Sequence, residues 1–255
     1  MKRSINSLLG YTIKGTDGEI GTVEEFYFDD RTSTIRYMVV KTGGWFSEKK
    51  VLISPEAFQK PEWESKTFSV NLTQEKIKNS PDIDTDKPVS RQQEELIRGY
   101  YTWPGYYGPG MYGYWGLGMW GYPLVNVSAS DKEMQHVEAT EQVDDNPHLR
   151  STHEVTGYDI HATDGDIGEV DDFIIDDITW KIHFLVVETG NWFLGKKVVI
   201  SPDWIKKIDW KTGAIIIDTT MDHVKNSPEY DVSKHLSTEY EVNLQNYYGR
   251  FITHK

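Results

Sequence analysis

GYTIKGTDGEIGTVEEFYFDD, from Gly10 to Asp30, returns as GYDIHATDGDIGEVDDFIIDD, from Gly157 to Asp177. The offset of about 147 residues then continues without a gap. KTGGWFSEKKVLISP from Lys41 matches ETGNWFLGKKVVISP from Glu188, and KNSPDID from Lys78 matches KNSPEYD from Lys225. Roughly 33 of the 75 positions from Gly10 to Asp84 are identical in the two copies. A thinner match runs on through Ser90/Ser237 and Glu94/Glu241 to Tyr100-Tyr101/Tyr247-Tyr248. The chain is a duplicated domain, and each copy carries the same C-terminal extension.

Each copy reads as β. Asp17-Gly18 and Asp164-Gly165 supply the Asp-Gly pair of a tight hairpin turn. Ile35, Tyr37 and Val39 alternate with Arg36, Met38 and Val40, the pattern of a half-buried strand. Val23, Phe26 and Phe28 break that period once, and a bulge at the intervening acidic residues restores the inward face. Thr73 and Thr220 are placed to cap short helices that end before Pro81 and Pro228. Five or six short strands and one helical turn in about 80 residues make a small barrel or sandwich.

The expected fold class is all-β: two small β-barrels joined by an aromatic, Gly-rich linker, with short helical segments after each barrel. The expected boundaries are 1–84 for the first repeat, 85–150 for the linker and 151–255 for the second repeat with its extension. A pseudo-twofold packing of the copies is expected, since a fused duplicate often replaces a homodimer.

The linker is of another kind. GYYTWPGYYGPGMYGYWGLGMWGYP, Gly99 to Pro123, is mostly Gly, Pro, Tyr and Trp, which denies it a regular helix or strand. Ser130 with Glu133 forms a capping-box pattern for a short acidic helix. Three readings stand for the aromatic stretch: a connector packed on the barrels, an interaction or self-association segment, and a membrane-interface patch. Trp103, Trp115 and Trp120 are its candidate interaction residues.

The sequence motifs resemble the PRC-barrel family, named for the cytoplasmic part of the photosynthetic reaction centre H subunit and also forming the C-terminal domain of RimM. The resemblance rests on G-Y-x-I-x-x-x-D-G-x-I-G at Gly10–Gly21 and Gly157–Gly168, T-G-x-W-F with K-K-V at Thr42–Val51 and Thr189–Val198, then I-S-P and K-N-S-P. It implies a small β-barrel used as a docking or scaffolding module, with no catalytic residue to carry over. RNA processing or ribosome maturation by analogy with RimM is one alternative. Support of electron-transfer or membrane complexes by analogy with the H subunit is another.

Composition narrows the chemistry. With 27 Lys+Arg against 40 Asp+Glu the formal charge is −13, which disfavours direct nucleic-acid binding. The absence of cysteine removes disulfides, thiolate metal sites and cysteine nucleophiles. No apolar run is long enough for a signal peptide core or a transmembrane helix, so a cytoplasmic acidic protein is expected.

No G-x-S-x-G, H-E-x-x-H, G-x-x-x-x-G-K or G-x-G-x-x-G occurs. Asp82-x-Asp84-x-Asp86 imitates a calcium loop, but Lys87 stands where its Gly belongs and Gln93 where its Glu belongs. The histidines are scattered; His161, His183 and His223 align with Lys14, Arg36 and Lys76, so they are expected at water-facing polar positions rather than as ligands. The expectation is therefore no enzyme, no cofactor and no metal.

The acidic pairs Glu24-Glu25, Asp29-Asp30, Asp171-Asp172 and Asp176-Asp177 read as solvated, edge-protecting faces. The Trp45-Phe46 and Trp192-Phe193 pairs sit at expected hairpin tips, followed by Lys49-Lys50 and Lys196-Lys197. Loop tips are normally polar, so these aromatics are either lids over the barrel ends or anchors for a partner. These eight residues complete the candidate interaction set, for a protein partner, a homo-oligomer contact or pairing of the two barrels within the chain.

Overall fold

The computed structural model describes residues 1–43, 49–59, 61–81, 83, 89, 91–103, 148–190, 195–232, 234 and 236–249. In the first copy β1 (Lys2–Ser4), β2 (Thr12–Lys14), β3 (Glu19–Asp29), β4 (Thr34–Thr42), β5 (Lys50–Ile53) and β6 (Thr67–Ser69) lead to α1 (Gln74–Lys78). Helix α2 (Arg91–Tyr101) follows. In the second copy β7 (Leu149–Ser151), the single turn α3 (Thr152–Val155), β8 (Asp159–Ala162) and β9 (Gly165–Asp176) come first. Then come β10 (Ile182–Thr189), β11 (Lys197–Ile200), β12 (Ile205–Asp209), β13 (Ala214–Ile217), α4 (Met221–Lys225) and α5 (Thr238–Tyr248).

The two sheets repeat one topology. The order β5-β4-β3-β2-β6 in the first copy matches β11-β10-β9-β8-β13 in the second, with the β2–β6 and β8–β13 pairs parallel. The second sheet gains β12, because Ile208 pairs with Ile215 where the first copy has Pro61, which has no N–H to give. These ladders leave each sheet open; neither closes on itself by strand pairing among the described residues.

Local chemistry follows the sequence. The register of β3 on β4 shifts between Val23 and Glu25, and that of β9 on β10 shifts at the matching place, so the bulge falls on the acidic pair. Thr73 and Thr220 accept the N–H groups of Lys76 and His223 at the starts of α1 and α4. The turn carboxylates Asp17 and Asp164 take a further N–H each, from Gln74 at 2.8 Å and Met221 at 2.7 Å. Gly21 and Gly168 close the repeated D-G-x-I-G because a Cβ at either would lie 2.0 Å from a β4 or β10 carbonyl oxygen. Strand β4 is buried on both faces rather than one. Arg36 is tolerated inside because Asp29 holds its charge at 3.1 Å.

The copies are exchanged at their first strands. β1 adds antiparallel to β9 of the second copy, with Lys2 opposite Asp176 and Ser4 opposite Ile174. β7 adds to β3 of the first copy in the same register, with Leu149 opposite Asp29 and Ser151 opposite Tyr27. Between the hairpin tips Thr34 pairs with Lys181, its own repeat equivalent. Ile35 donates to the Trp180 carbonyl at 2.8 Å and Ile182 to the Ser33 carbonyl at 2.7 Å. A residue that pairs with its own counterpart marks a twofold axis, here a pseudo-twofold within one chain. Residues 1–89 and 148–255 accordingly form one compact unit, and residues 90–147 a second. No helix among the described residues is long and apolar enough to cross a membrane.

Candidate functional site

The candidate site is the β4–β5 loop of the first copy and the equivalent β10–β11 loop of the second, and its base is built the same way twice. The Thr42 hydroxyl donates to the Lys49 carbonyl at 3.1 Å, and the Thr189 hydroxyl to that of Lys196 at 2.6 Å. The Lys49 ammonium then donates to the carbonyls of Lys78 and Ser80, both at 2.9 Å, at the C-terminal end of α1. Lys196 repeats this on Lys225, at 3.1 Å, and on Ser227 at the end of α4. A helix C-terminus presents unsatisfied carbonyls and partial negative charge, so a lysine there is held by both.

The second lysine of each pair is bound to the bulge. Lys50 meets Glu24 at 2.7 Å, and Lys197 meets Asp171 at 2.7 Å and Glu188 at 3.5 Å. Burial works against the Lys197 charge, but Asp171 and Glu188 outweigh it and hold its pKa above the usual lysine value. All four lysines therefore secure the loop bases to their own barrels. Trp45, Phe46, Trp192 and Phe193 lie outside the described residues, as do Trp115, Trp120, the Ser130 helix and the Asp82-x-Asp84-x-Asp86 run. Trp103 follows α2 and stacks on Tyr101, 4.2 Å between ring centres.

The acidic pairs are not solvated faces. Asp29 and Asp172 are 5% and 6% exposed. Asp172 accepts the Ser4 hydroxyl and, at 3.1 Å, the Asn6 N–H; Glu25 accepts the Ser151 hydroxyl. Asp177 takes the Arg3 guanidinium and Asp30 that of Arg150, each at 2.8 Å. Asp177 also meets the N-terminal ammonium, and Asp30 meets His148 at 2.9 Å in the equivalent place. Burial pushes the Asp172 carboxyl above its usual value, against the hydrogen bonds from Ser4, Phe173 and Asn6. The edge these carboxylates were expected to guard is instead covered by the other copy's strand.

Each exchanged arginine is also stacked: Arg3 lies 3.5 Å from the Trp63 ring centre and Arg150 lies 4.3 Å from that of Trp210. It thus joins a carboxylate of the opposite copy to an indole of its own. This latch was missed in the sequence, although its signal is there: Arg3-Ser4 and Arg150-Ser151 are identical at the same offset, upstream of Gly10 and Gly157.

His161 meets Asp166 at 2.6 Å, and the His223 ring lies 5.3 Å from that of Tyr247. Among the described residues no group of three His, Asp or Glu side chains is placed to hold a metal ion.

Comparison with known proteins agrees with the repeat. The model of the PRC-barrel domain matches residues 2–68 and again residues 148–224. The chain belongs to the PRC-barrel family. Both matched regions begin at the exchanged strand. Over 101 residues the chain is also 31% identical to an uncharacterized protein of Deinococcus radiodurans, a stretch covering 38% of this chain and 36% of that protein. The chain thus spans about a third of that relative's length.

Proposed function

We propose that this tandem PRC-barrel protein is a non-catalytic docking module. Two equivalent aromatic loops, Trp45-Phe46 and Trp192-Phe193, present anchors to a protein partner. The observation that carries this reading is the duplicated loop base, where Lys49 and Lys196 tie the same point of each loop to a helix C-terminus. A loop with a fixed base loses less entropy when its tip is captured, so large aromatics there make efficient binding anchors. The fused pseudo-dimer adds a second consequence. Two sites in one compact unit favour a partner that is itself repeated or symmetric, through effective concentration.

The test is cross-linked capture from lysate of the native host, comparing the full chain with a variant carrying Trp45→Ala, Phe46→Ala, Trp192→Ala and Phe193→Ala. The docking reading expects a defined partner that is retained by the parent and lost from the variant. Equal recovery of every protein by both would refute it.

A further inference from the structure

The pseudo-twofold is broken at one place with a consequence for ligand binding. The β9–β10 hairpin tip of the second copy carries Trp180, and the indole packs into the first barrel, 5.4 Å from the Phe58 ring and 5.9 Å from the Phe68 ring. Trp180 is 9% exposed there. The equivalent tip of the first copy carries Ser33. The two rings that receive Trp180 also shrink in the second barrel, where Ile205 replaces Phe58 and Ile215 replaces Phe68. A large plug and two large walls have become small together.

A cavity of about 260 Å3 lies at that spot. Its floor and walls include Phe28, Phe173, Ile205, Ile208 and Ile215, and Ser33 is part of the lining. Asp30, Arg31 and Asp203 add polar groups. Asp30 is already engaged by His148 and Arg150, so its charge is met within the protein.

We propose that this cavity is a binding site for a small, neutral, planar aromatic heterocycle of one or two rings, with indole as the model ligand. The first barrel shows what such a site accepts, because its equivalent is filled by an indole of the chain itself. Size agrees: a dry apolar cavity of about 150 Å3 takes up benzene, and pockets for larger ligands begin near roughly 300 Å3. The polar part of the lining, with Asp203 at the cavity, suits a ring that carries an N–H. The site uses neither aromatic loop and is independent of the docking reading.

Isothermal titration of the full chain with indole, mapped by amide NMR shifts, tests it. One site per chain is expected, with shifts at Ile205, Ile208 and Ile215. Ser33→Trp restores the plug of the other barrel. Ser33 has φ 53° and Trp180 φ 58°, so the backbone that already holds a tryptophan at one tip is present at the other. This variant is expected to weaken indole binding at least about tenfold and to raise Tm. Ile215→Phe, which restores one wall, is expected to weaken it less. Absence of indole binding at millimolar concentration would overturn the proposal, as would unchanged affinity in a folded Ser33→Trp variant.

Discussion

Replacing Arg3 by alanine tests whether the exchanged strands lock the two copies together. Arg3 is 9% exposed, donates to Asp177 at 2.8 Å, and lies 3.5 Å from the Trp63 ring centre. A charge-assisted hydrogen bond contributes about 1.5–3 kcal/mol and a partly desolvated cation–π contact about 0.5–2 kcal/mol. The N-terminal ammonium remains beside Asp177 and offsets part of the loss. The expected destabilisation is therefore about 2–3 kcal/mol, which lowers Tm by roughly 5–10 °C in a unit of this size. Urea unfolding followed by circular dichroism and tryptophan fluorescence measures it. The two signals are expected to move together in one transition, since neither sheet is complete without the other copy's strand. A double-mutant cycle of Arg3→Ala with Trp63→Leu isolates the stacking contribution. A loss below about 0.5 kcal/mol, the range of ordinary surface substitutions, would refute the latch. Separate unfolding of the two copies would refute it equally.

Three further outcomes are expected. Burial raises the Asp172 pKa above 3.8, so the carboxyl stabilises the fold most at low pH and loses that contribution as pH rises through the folded value. Measured against Asp172→Asn, the parent should lose relative stability in chemical denaturation between pH 3.5 and pH 7, and an unchanged difference would count against it. Gly168→Ala places a Cβ where the Glu188 carbonyl oxygen stands, 2.0 Å away. It should lower Tm far more than Gly190→Ala, whose Cβ meets nothing within 4 Å, and equal melting temperatures would contradict the close approach. Lys196→Met removes the donor to Lys225 and Ser227, so amide exchange should quicken at the end of α4 and at Asn226 and Ser227, while Lys206→Met should leave it unchanged.

Much of the fold was legible in the chain. The duplication is read directly by comparing the chain with itself, and the Asp-Gly turns, the Thr73 and Thr220 caps and the β3 bulge are local features, each written in residues a few positions apart. Backbone geometry at such sites depends on nearest neighbours, so sequence alone decides it. The same holds for the paired lysines as a pattern, but not for their partners. Lys49 and Lys78 are far apart in sequence, and only folding brings the ammonium to the helix end.

Tertiary structure alone decided which sheet each first strand joins. Lys2–Ser4 makes the same ladder whether its neighbour belongs to its own copy or to the other, so no local signal distinguishes the two. That choice fixed the fate of the acidic pairs. Periodicity shows that a carboxylate stands at a strand's polar positions; it does not show whether water or an arginine from across the molecule will meet it. The contrast between Trp180 and Ser33 was visible as a mismatch in the repeat, yet it acquired meaning only when the hairpin tips were seen to enter opposite barrels. Sequence determined two copies of one barrel; packing across the pseudo-twofold axis determined that one is filled and the other holds a cavity, because a side chain's volume acts on whatever surface the fold places against it.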